Sequence, residues 1–574
     1  MLTIYHGRAQ CGKTQALFEE IRRGAEAGRK QILVVPEMLS HETERRLLKE
    51  CGNPISRYAE VLTFQRMAAR ILKEAGETPR FLDAGGRVLT MYRALRNSES
   101  GLCYFKTAGM RPELVEKLAG IIDELKACCV SPEQLMQAAE NLGVTKEKVS
   151  DLSLIYAAYE RLCENAALDD KELLSVAEEA LGKCDFGHEW DFYFDGFMGM
   201  TVQERRLLKA LLLRCHDMSA AILWQDELVF NEQKKLILRL KAIAEELGEE
   251  EKTVALEREK RPELPELDHL EKELLGYQNN PLDCECKAIK LSMLDSPAEE
   301  CEYAAAQVRK AVAEEGLRYR EIVLAAGNID EYGPLLEQAF ARYEAPLFLA
   351  QKSDILAKPV LAAALGAVEA VSQGMRYEAV MRYLRAGLSP LESGEADLLE
   401  NYLLTWDIKG EEYEHPFVKN PYGFDLSKQA QGEELLPQIE AARQKLIEPL
   451  QKLKQRLENC SRGGDYARAL TGFFEESLLK EKILQKAERL KRSERLREEA
   501  EYRQLWQILE NGLRQFETVM EDAAMDCDEF LRLWRLMLAQ YHVGTIPVGL
   551  DCVQAGSLER LSFHHAKLVI LIGA

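Results

Sequence analysis

Short apolar runs, each closed by turn residues and followed by a longer amphipathic stretch, recur along the first part of the chain. Leu2–Tyr5, Gln31–Val35 and Val61–Thr63 are such runs. Helical spacing follows each of them, from Gln15 to about Gly24, from Ser40 to Lys49 and from Phe64 through Leu72. Strand and helix in alternation predict a parallel, doubly wound sheet. From about 83 to 183 the period changes to helical throughout. Leu114, Leu118, Ile121, Ile122 and Leu125 recur at helical spacing, as do residues 152–162 with Tyr156 and Tyr159. Strands resume at Trp190–Phe194 and Ala220–Trp224, and a polar connection follows over 245–281.

A second alternating unit comes next. Ala288–Ser292, Glu321–Ala325 and Pro346–Leu349 read as strands, with helices over Pro297–Gly316 and on through Tyr343. Residues 358–541 are helical and charged, and Asp551–Ala555 and Leu568–Ile572 are again strands. The mixed-sign run 480–503 carries apolar punctuation at Ile483, Leu484, Leu490 and Leu496, which suits a solvated helix face better than a nucleic-acid patch. The fold class is therefore α/β, with two parallel-sheet domains that each carry a large all-helical insertion. The first domain spans 1–285 with its insertion at about 75–188. The second spans 286–574 with its insertion at about 358–544. The chain stops at Ala574 directly after a buried strand with no helix to cover it, so a longer polypeptide, truncated here at its C-terminal side, is expected.

Composition narrows this picture without choosing a function. A chain of 574 residues is too long for one core. Its longest apolar runs, such as Ala210–Leu213, are too short to span a membrane, and no basic or apolar leader precedes the first strand. Fourteen cysteines lie scattered through apolar stretches as packing residues would, which points to a reducing, cytoplasmic setting. Cys284-x-Cys286 and the pair Cys128-Cys129 lack the further Cys or His that a zinc site needs. The net charge of −21 excludes a uniformly basic nucleic-acid coat. It leaves room for a local basic groove, because charges act over a Debye length of about 8 Å.

The chemistry concentrates at the start. Gly7-Arg8-Ala9-Gln10-Cys11-Gly12-Lys13-Thr14 has the phosphate-loop spacing, between a strand and a helix. Such a loop turns backbone N–H groups toward phosphates, and the helix end adds its positive dipole. Lys13 would neutralise the β/γ charge and Thr14 would hold Mg²⁺, so ATP and Mg²⁺ are the expected cofactors. Asp195 ends a buried strand, where a carboxylate can hold Mg²⁺ opposite Thr14. Asp195-Gly196 is equally a turn signal. Thr201-x-x-Glu204 is a capping box that opens the next helix.

The ordered motifs resemble superfamily 1 helicases, and more closely the AddB family, the B subunits of AddAB-type helicase–nucleases. Gly7–Thr14 is similar to the family's GRxxxGKT loop, Val35-Pro36-Glu37 to its V-P-[DE] segment and Leu62–Leu72 to F-S-F-x-R-L-A-x-R-[IV]-L. Phe194–Phe197 with Thr201–Glu204 resembles [YV]-D-G-F-x-x-F-T-x-x-E. Arg376–Val380, Glu400–Tyr402 with Ile408–Gly410, and Gly556–Arg560 fit as well. The resemblance implies two RecA-like domains in superfamily 1 helicase architecture and a heterodimer with an AddA-type subunit. It also implies processing of double-strand DNA ends for recombinational repair and scanning of single-stranded DNA for a Chi sequence. The family's nuclease domain and iron–sulphur cysteines lie in a C-terminal part that this chain lacks, so neither centre is expected here.

Two departures from active helicases bear on turnover. Gly196 stands where those enzymes place a glutamate base, and Ala326-Gly327-Asn328 where they place an arginine that reaches the γ-phosphate. Loss of such an arginine costs about 10³–10⁵ in rate, so ATP binding with weak hydrolysis is expected. For DNA, Ser40, Thr63, Phe64, Arg66 and Phe197 follow sheet strands, where ligands of such folds bind. Ser40 and Arg66 can hold phosphates, and Phe64 and Phe197 can stack on bases. Ser40 also suits a helix N-cap, and both rings suit a core. Met38 stands where the family often has Gln, and Ala69 where it has Trp, which puts the family's sequence preference in question. An autonomous superfamily 1 helicase and a small-molecule P-loop kinase are the competing readings.

Overall fold

The computed structural model describes residues 1–573 except 108–110, 144, 167, 227, 258–263, 275–279, 284, 350–354, 545–550, 559–560 and 562–565. Cys284, Glu559, Arg560 and the terminal Ala574, which figure in the sequence reading, lie outside the described residues. Twelve strands are seen: β1 (Leu2–Gly7), β2 (Gln31–Val34), β3 (Ala59–Leu62), β4 (Phe81–Leu82), β5 (Leu168–Asp169), β6 (Asp191–Asp195), β7 (Asp217–Leu223), β8 (Glu251–Ala255), β9 (Ile322–Ala326), β10 (Leu347–Leu349), β11 (Val553–Ser557) and β12 (Leu568–Ile572). They build a six-stranded sheet in the order β3-β2-β6-β7-β1-β8, a four-stranded sheet in the order β10-β11-β9-β12, and the small pair β4-β5. All the pairings are parallel.

The first sheet is covered on both faces, and the strand period divides its residues between two cores. Ile32 and Val34 of β2 pack with Phe192 and Phe194 of β6 on one face. Leu33 and the next residue, Val35, pack with Tyr193 on the other face, against Leu17, Phe18 and Ile21 of helix α1 (Lys13–Glu26). Double burial is why these strands read as continuous apolar runs. At the edge, β8 reads Glu-Lys-Thr-Val-Ala and is mostly exposed. Its sequence looks like part of a polar connection. Residues 245–281 in fact hold the end of a helix, this edge strand and the helix Pro265–Glu273. Edge strands need no apolar alternation, so the usual signal was absent.

In the second sheet β9 is buried along its whole length, against the helices Pro297–Glu314 and Ile329–Arg342. The strand expected at Ala288–Ser292 is not formed. That segment lies outside the ladders, with Leu291 96% exposed: no strand among the described residues pairs with it, and Ala288 N donates instead to Glu266 Oε1 at 2.8 Å. Alternation alone does not make a strand.

The two insertions are not separate outgrowths. Apart from β4 and β5 they are helical, and residues 82–163 and 355–543 contribute to one continuous core that includes Tyr159, Phe516, Phe530 and Trp534. Tyr541 donates to Asp83 at 2.8 Å, Arg93 pairs with Asp522 at 2.9 Å, and the Tyr92 hydroxyl meets Glu529. Periodicity marks each stretch as helical but carries no signal that they share a core. In the run 480–503, Ile483 and Leu490 are buried, while Arg495 and Arg503 pair with Glu498 and Glu499 on the exposed side.

The cysteine expectation is corrected. All thirteen described cysteines are free, but only Cys163 and Cys301 are buried. Cys103, Cys128 and Cys286 are exposed, and the other eight are half-buried. No helix among the described residues is long and apolar enough to cross a membrane.

Candidate nucleotide site at the first sheet

The C-terminal edge of the first sheet gathers the chemistry. β1 ends at Gly7, the loop passes Arg8 to Cys11, and Gly12 in the left-handed conformation (φ 87°) caps α1. A side chain at position 7 would collide with Leu256 O at 2.4 Å, so the loop closes tightly only with glycine there. The first turn of α1 holds no acidic residue, which leaves its positive end open to an anion. Lys13 Nζ donates to Gly7 O at 3.0 Å and to Arg8 O at 2.6 Å. Its ammonium is thus parked on the carbonyls of its own loop.

Thr14 Oγ1 donates to Asp195 Oδ2 at 2.6 Å. Burial pushes the Asp195 carboxyl above its ordinary range; the Thr14 hydroxyl and the Gly196 N–H oppose that, with Arg46 and Lys13 adding positive charge. The pair is a hydroxyl and a carboxylate facing each other at the start of a helix, a donor set of oxygens that suits Mg²⁺. Gly196 has φ 80°, and a Cβ there would lie 2.6 Å from Leu39 Cδ1. The Thr201–Glu204 capping box forms as expected, with both of its hydrogen bonds present.

Arg8 does something that loop spacing does not reveal. Its Nη1 donates to Glu271 Oε2 at 2.8 Å and to Glu271 O at 3.1 Å, and its Nε meets the Gln225 side chain. Gln225 follows β7, and Glu271 lies on the helix Pro265–Glu273. The separation of 263 positions between Arg8 and Glu271 puts this ion pair beyond any sequence signal.

The DNA candidates sit at the same edge, after the adjacent strands β2, β3 and β6. Ser40 is buried as the first residue of helix α2 (Ser40–Cys51), whose N-cap position is Leu39. Thr63 caps helix α3 (Phe64–Glu74) by accepting from the Arg66 N–H at 3.2 Å, and the Arg66 side chain is exposed. Phe64 and Phe197 are buried and meet at 5.3 Å between ring centres, with Phe194 completing the cluster. In this structure the rings pack edge-on and tilted against one another. Met38 stands 55% exposed beside them in sequence.

At the second sheet, β9 runs into Gly327 and Asn328, and Asn328 donates to Glu331 on the following helix at 3.3 Å. No charged side chain occupies the three positions 326–328.

Residues 4–271 match the protein-family model described as "ADDB, N-terminal". The whole chain is similar to proteins named as the B subunit of an ATP-dependent helicase/deoxyribonuclease. It is 28% identical over 597 residues to the one from Clostridium botulinum (strain Hall), which covers 100% of this chain and 52% of that protein. The relative from Acetivibrio thermocellus is 29% identical over 594 residues, with 100% and 52% covered, and the one from Caldanaerobacter subterraneus is 28% identical over 592, with 100% and 51% covered. The chain spans about half the length of the curated relatives it matches.

Proposed function

We propose that this chain belongs to the AddB family and forms the helicase-like body of the B subunit of a heterodimeric, ATP-dependent helicase–nuclease acting on double-strand DNA ends in recombinational repair. Its partner is an AddA-type subunit, and its own part is to bind ATP and an unpaired DNA strand, with slow hydrolysis or none. The observation that carries this reading is the pairing of Thr14 with Asp195 beside the parked Lys13, at the open end of α1. The loop N–H groups and Lys13 would hold the phosphates, and Thr14 and Asp195 the Mg²⁺, which supplies charge neutralisation to the phosphoryl oxygens. Weak hydrolysis is supported by Gly196, which offers no base and whose φ of 80° strains any other residue. The exposed Arg66 at the same sheet edge supports a phosphate contact on DNA. A division at about 285 into two RecA-like domains agrees with the separation of the two sheets along the chain.

The experiment is a titration of the chain with a fluorescent ATP analogue and Mg²⁺, beside Lys13→Ala, and an ATPase assay with tailed DNA alone and with the AddA-type subunit. Saturable binding that Lys13→Ala removes, with negligible turnover by the isolated chain, is expected. An isolated chain that turned over ATP in the ordinary range of about 1–10³ per second would overturn the reading in favour of an autonomous helicase.

A further inference from the structure

The turn between the helices Ser393–Trp406 and Gln429–Glu458 holds large apolar side chains in solvent. Phe424 is 91% exposed, Val418 77%, and Tyr422 is exposed beside them. The turn itself is well anchored. Trp406 Nε1 donates to Asn420 O at 2.9 Å, Lys419 N to the Tyr402 hydroxyl at 3.1 Å, and Tyr422 N to Asn420 Oδ1 at 2.9 Å. Beneath it Tyr402 and Phe417 stack at 4.5 Å. A fixed segment that shows aromatic rings to water is a presented surface.

The charges on this surface choose the partner. Lys419 Nζ lies 4.8 Å from the centre of the Trp406 ring, and Lys428 Nζ lies 5.1 Å from that of Tyr422. Phe424 meets Trp406 edge to face at 5.4 Å. In a chain of net charge −21, carboxylates are plentiful. Yet neither lysine forms a salt bridge among the described residues, and of the five acids in 404–428 all but Glu411 have other partners. Asp407 is held by Lys409 at 2.7 Å and Glu414 by Lys454 at 3.2 Å, while Glu412 accepts from Lys409 N at 3.2 Å. Asp425 accepts from both the N–H and the hydroxyl of Ser427, which hold it below the usual carboxylate range, with Lys428 the smallest influence. Two ammonium groups poised over ring faces, with a bare phenyl ring beside them, suit a polyanion that carries flat apolar groups. An apolar protein face would desolvate both lysines without giving either a partner.

We propose that residues 404–428 are an accessory contact for an unpaired nucleic-acid strand, with a base stacking on Phe424 and flanking phosphates on Lys419 and Lys428. This contact lies in the second helical insertion, away from the sheet edge that holds Arg66, and it does not rest on the nucleotide reading. The test is fluorescence anisotropy of the full chain with a labelled oligothymidine, without nucleotide, across a salt series. Phe424→Ala is expected to weaken binding about tenfold, the loss of one stacked base. Lys419→Ala with Lys428→Ala is expected to flatten the salt dependence by about one to one and a half logarithmic units per decade of salt. Phe424→Tyr keeps a ring and is expected to retain the affinity, which separates stacking from misfolding. Wild-type affinity and salt slope in all variants, or weakening by Arg66→Ala alone, would overturn the proposal. So would loss of a protein partner with oligonucleotide binding intact.

Discussion

The C-terminal edges of the two sheets each place a glycine directly after a buried strand, in different surroundings. At the first sheet the position after Asp195 is a glycine in the left-handed region, and a Cβ there would lie 2.6 Å from Leu39 Cδ1. At the second sheet the position after Ala326 is also glycine, yet a Cβ there would meet nothing within 4 Å. The backbone at Gly196 disfavours any other residue, whereas Gly327 lies on an open surface. Two missing residues that look equivalent in the sequence therefore differ in what it would take to put them back.

The largest expected effect tests whether only the first edge takes nucleotide. Lys13→Ala removes a charge-assisted contact worth about 1.5–3 kcal/mol, so affinity for an ATP analogue is expected to fall roughly 10- to 100-fold. Asn328→Ala at the second edge is expected to leave it unchanged. Equal losses from the two would mean that the edges share the ligand, and the contrast would fail.

Next in size is a dependence on pH confined to the first edge. Burial raises the Asp195 carboxyl above its ordinary range, so protonation begins at a higher pH than for an exposed aspartate. Since Mg²⁺ requires the ionised form, the magnesium-dependent part of ATP affinity is expected to fall on acidification, by up to about tenfold per pH unit once below that raised value. Asp195→Asn should abolish both the magnesium increment and its pH dependence in the same isothermal titrations. The sign for folding is the opposite one. A raised native pKa stabilises the fold at low pH, and this contribution fades as pH rises through the raised value.

Restoration is a smaller and sharper probe. Gly196→Glu forces a side chain into a left-handed position at about 1–2 kcal/mol and against Leu39, so a lower thermal transition with no gain of ATPase is expected. Gly327→Arg should shift stability by no more than about 0.5 kcal/mol. Robust hydrolysis from Gly196→Glu alone would show that the first loss is not locked.

How much of this was legible beforehand follows from the physics of each element. Double burial makes β2, β6 and β9 apolar along their length, and each was readable to within a residue or two. The phosphate loop is local, so its spacing announced it, and Thr201 announced its helix start as a cap, whereas Thr63, read as a strand end, proves to be one. The exposed edge strand β8 had no such signature, and Ala288–Ser292 had the signature without a neighbour to pair with. The joining of the two insertions into one core and the reach of Arg8 to Glu271 depend on contacts across hundreds of residues. The steric block at Gly196 was invisible for the same reason: it is made by Leu39, on a different loop.

The last probe concerns that long reach. Arg8 leaves the phosphate loop to bind Glu271 on a helix beyond β8, so the loop is tied to the segment leading toward the second sheet, whereas the second edge carries no comparable tie among the described residues. If the loop binds nucleotide as proposed, its phosphates would compete with Glu271 for the same guanidinium. With the Arg8 side chain 13% exposed and that of Glu271 33%, the pair is partly screened and contributes about 1 kcal/mol at most. Glu271→Gln is therefore expected to raise nucleotide affinity slightly, by no more than about fivefold, while Arg8→Ala lowers it. If both variants lowered affinity, Glu271 would be holding Arg8 in its binding position. Hydrogen exchange over 265–273 distinguishes the two cases, since competition predicts that this helix exchanges faster when nucleotide is bound to the wild-type chain.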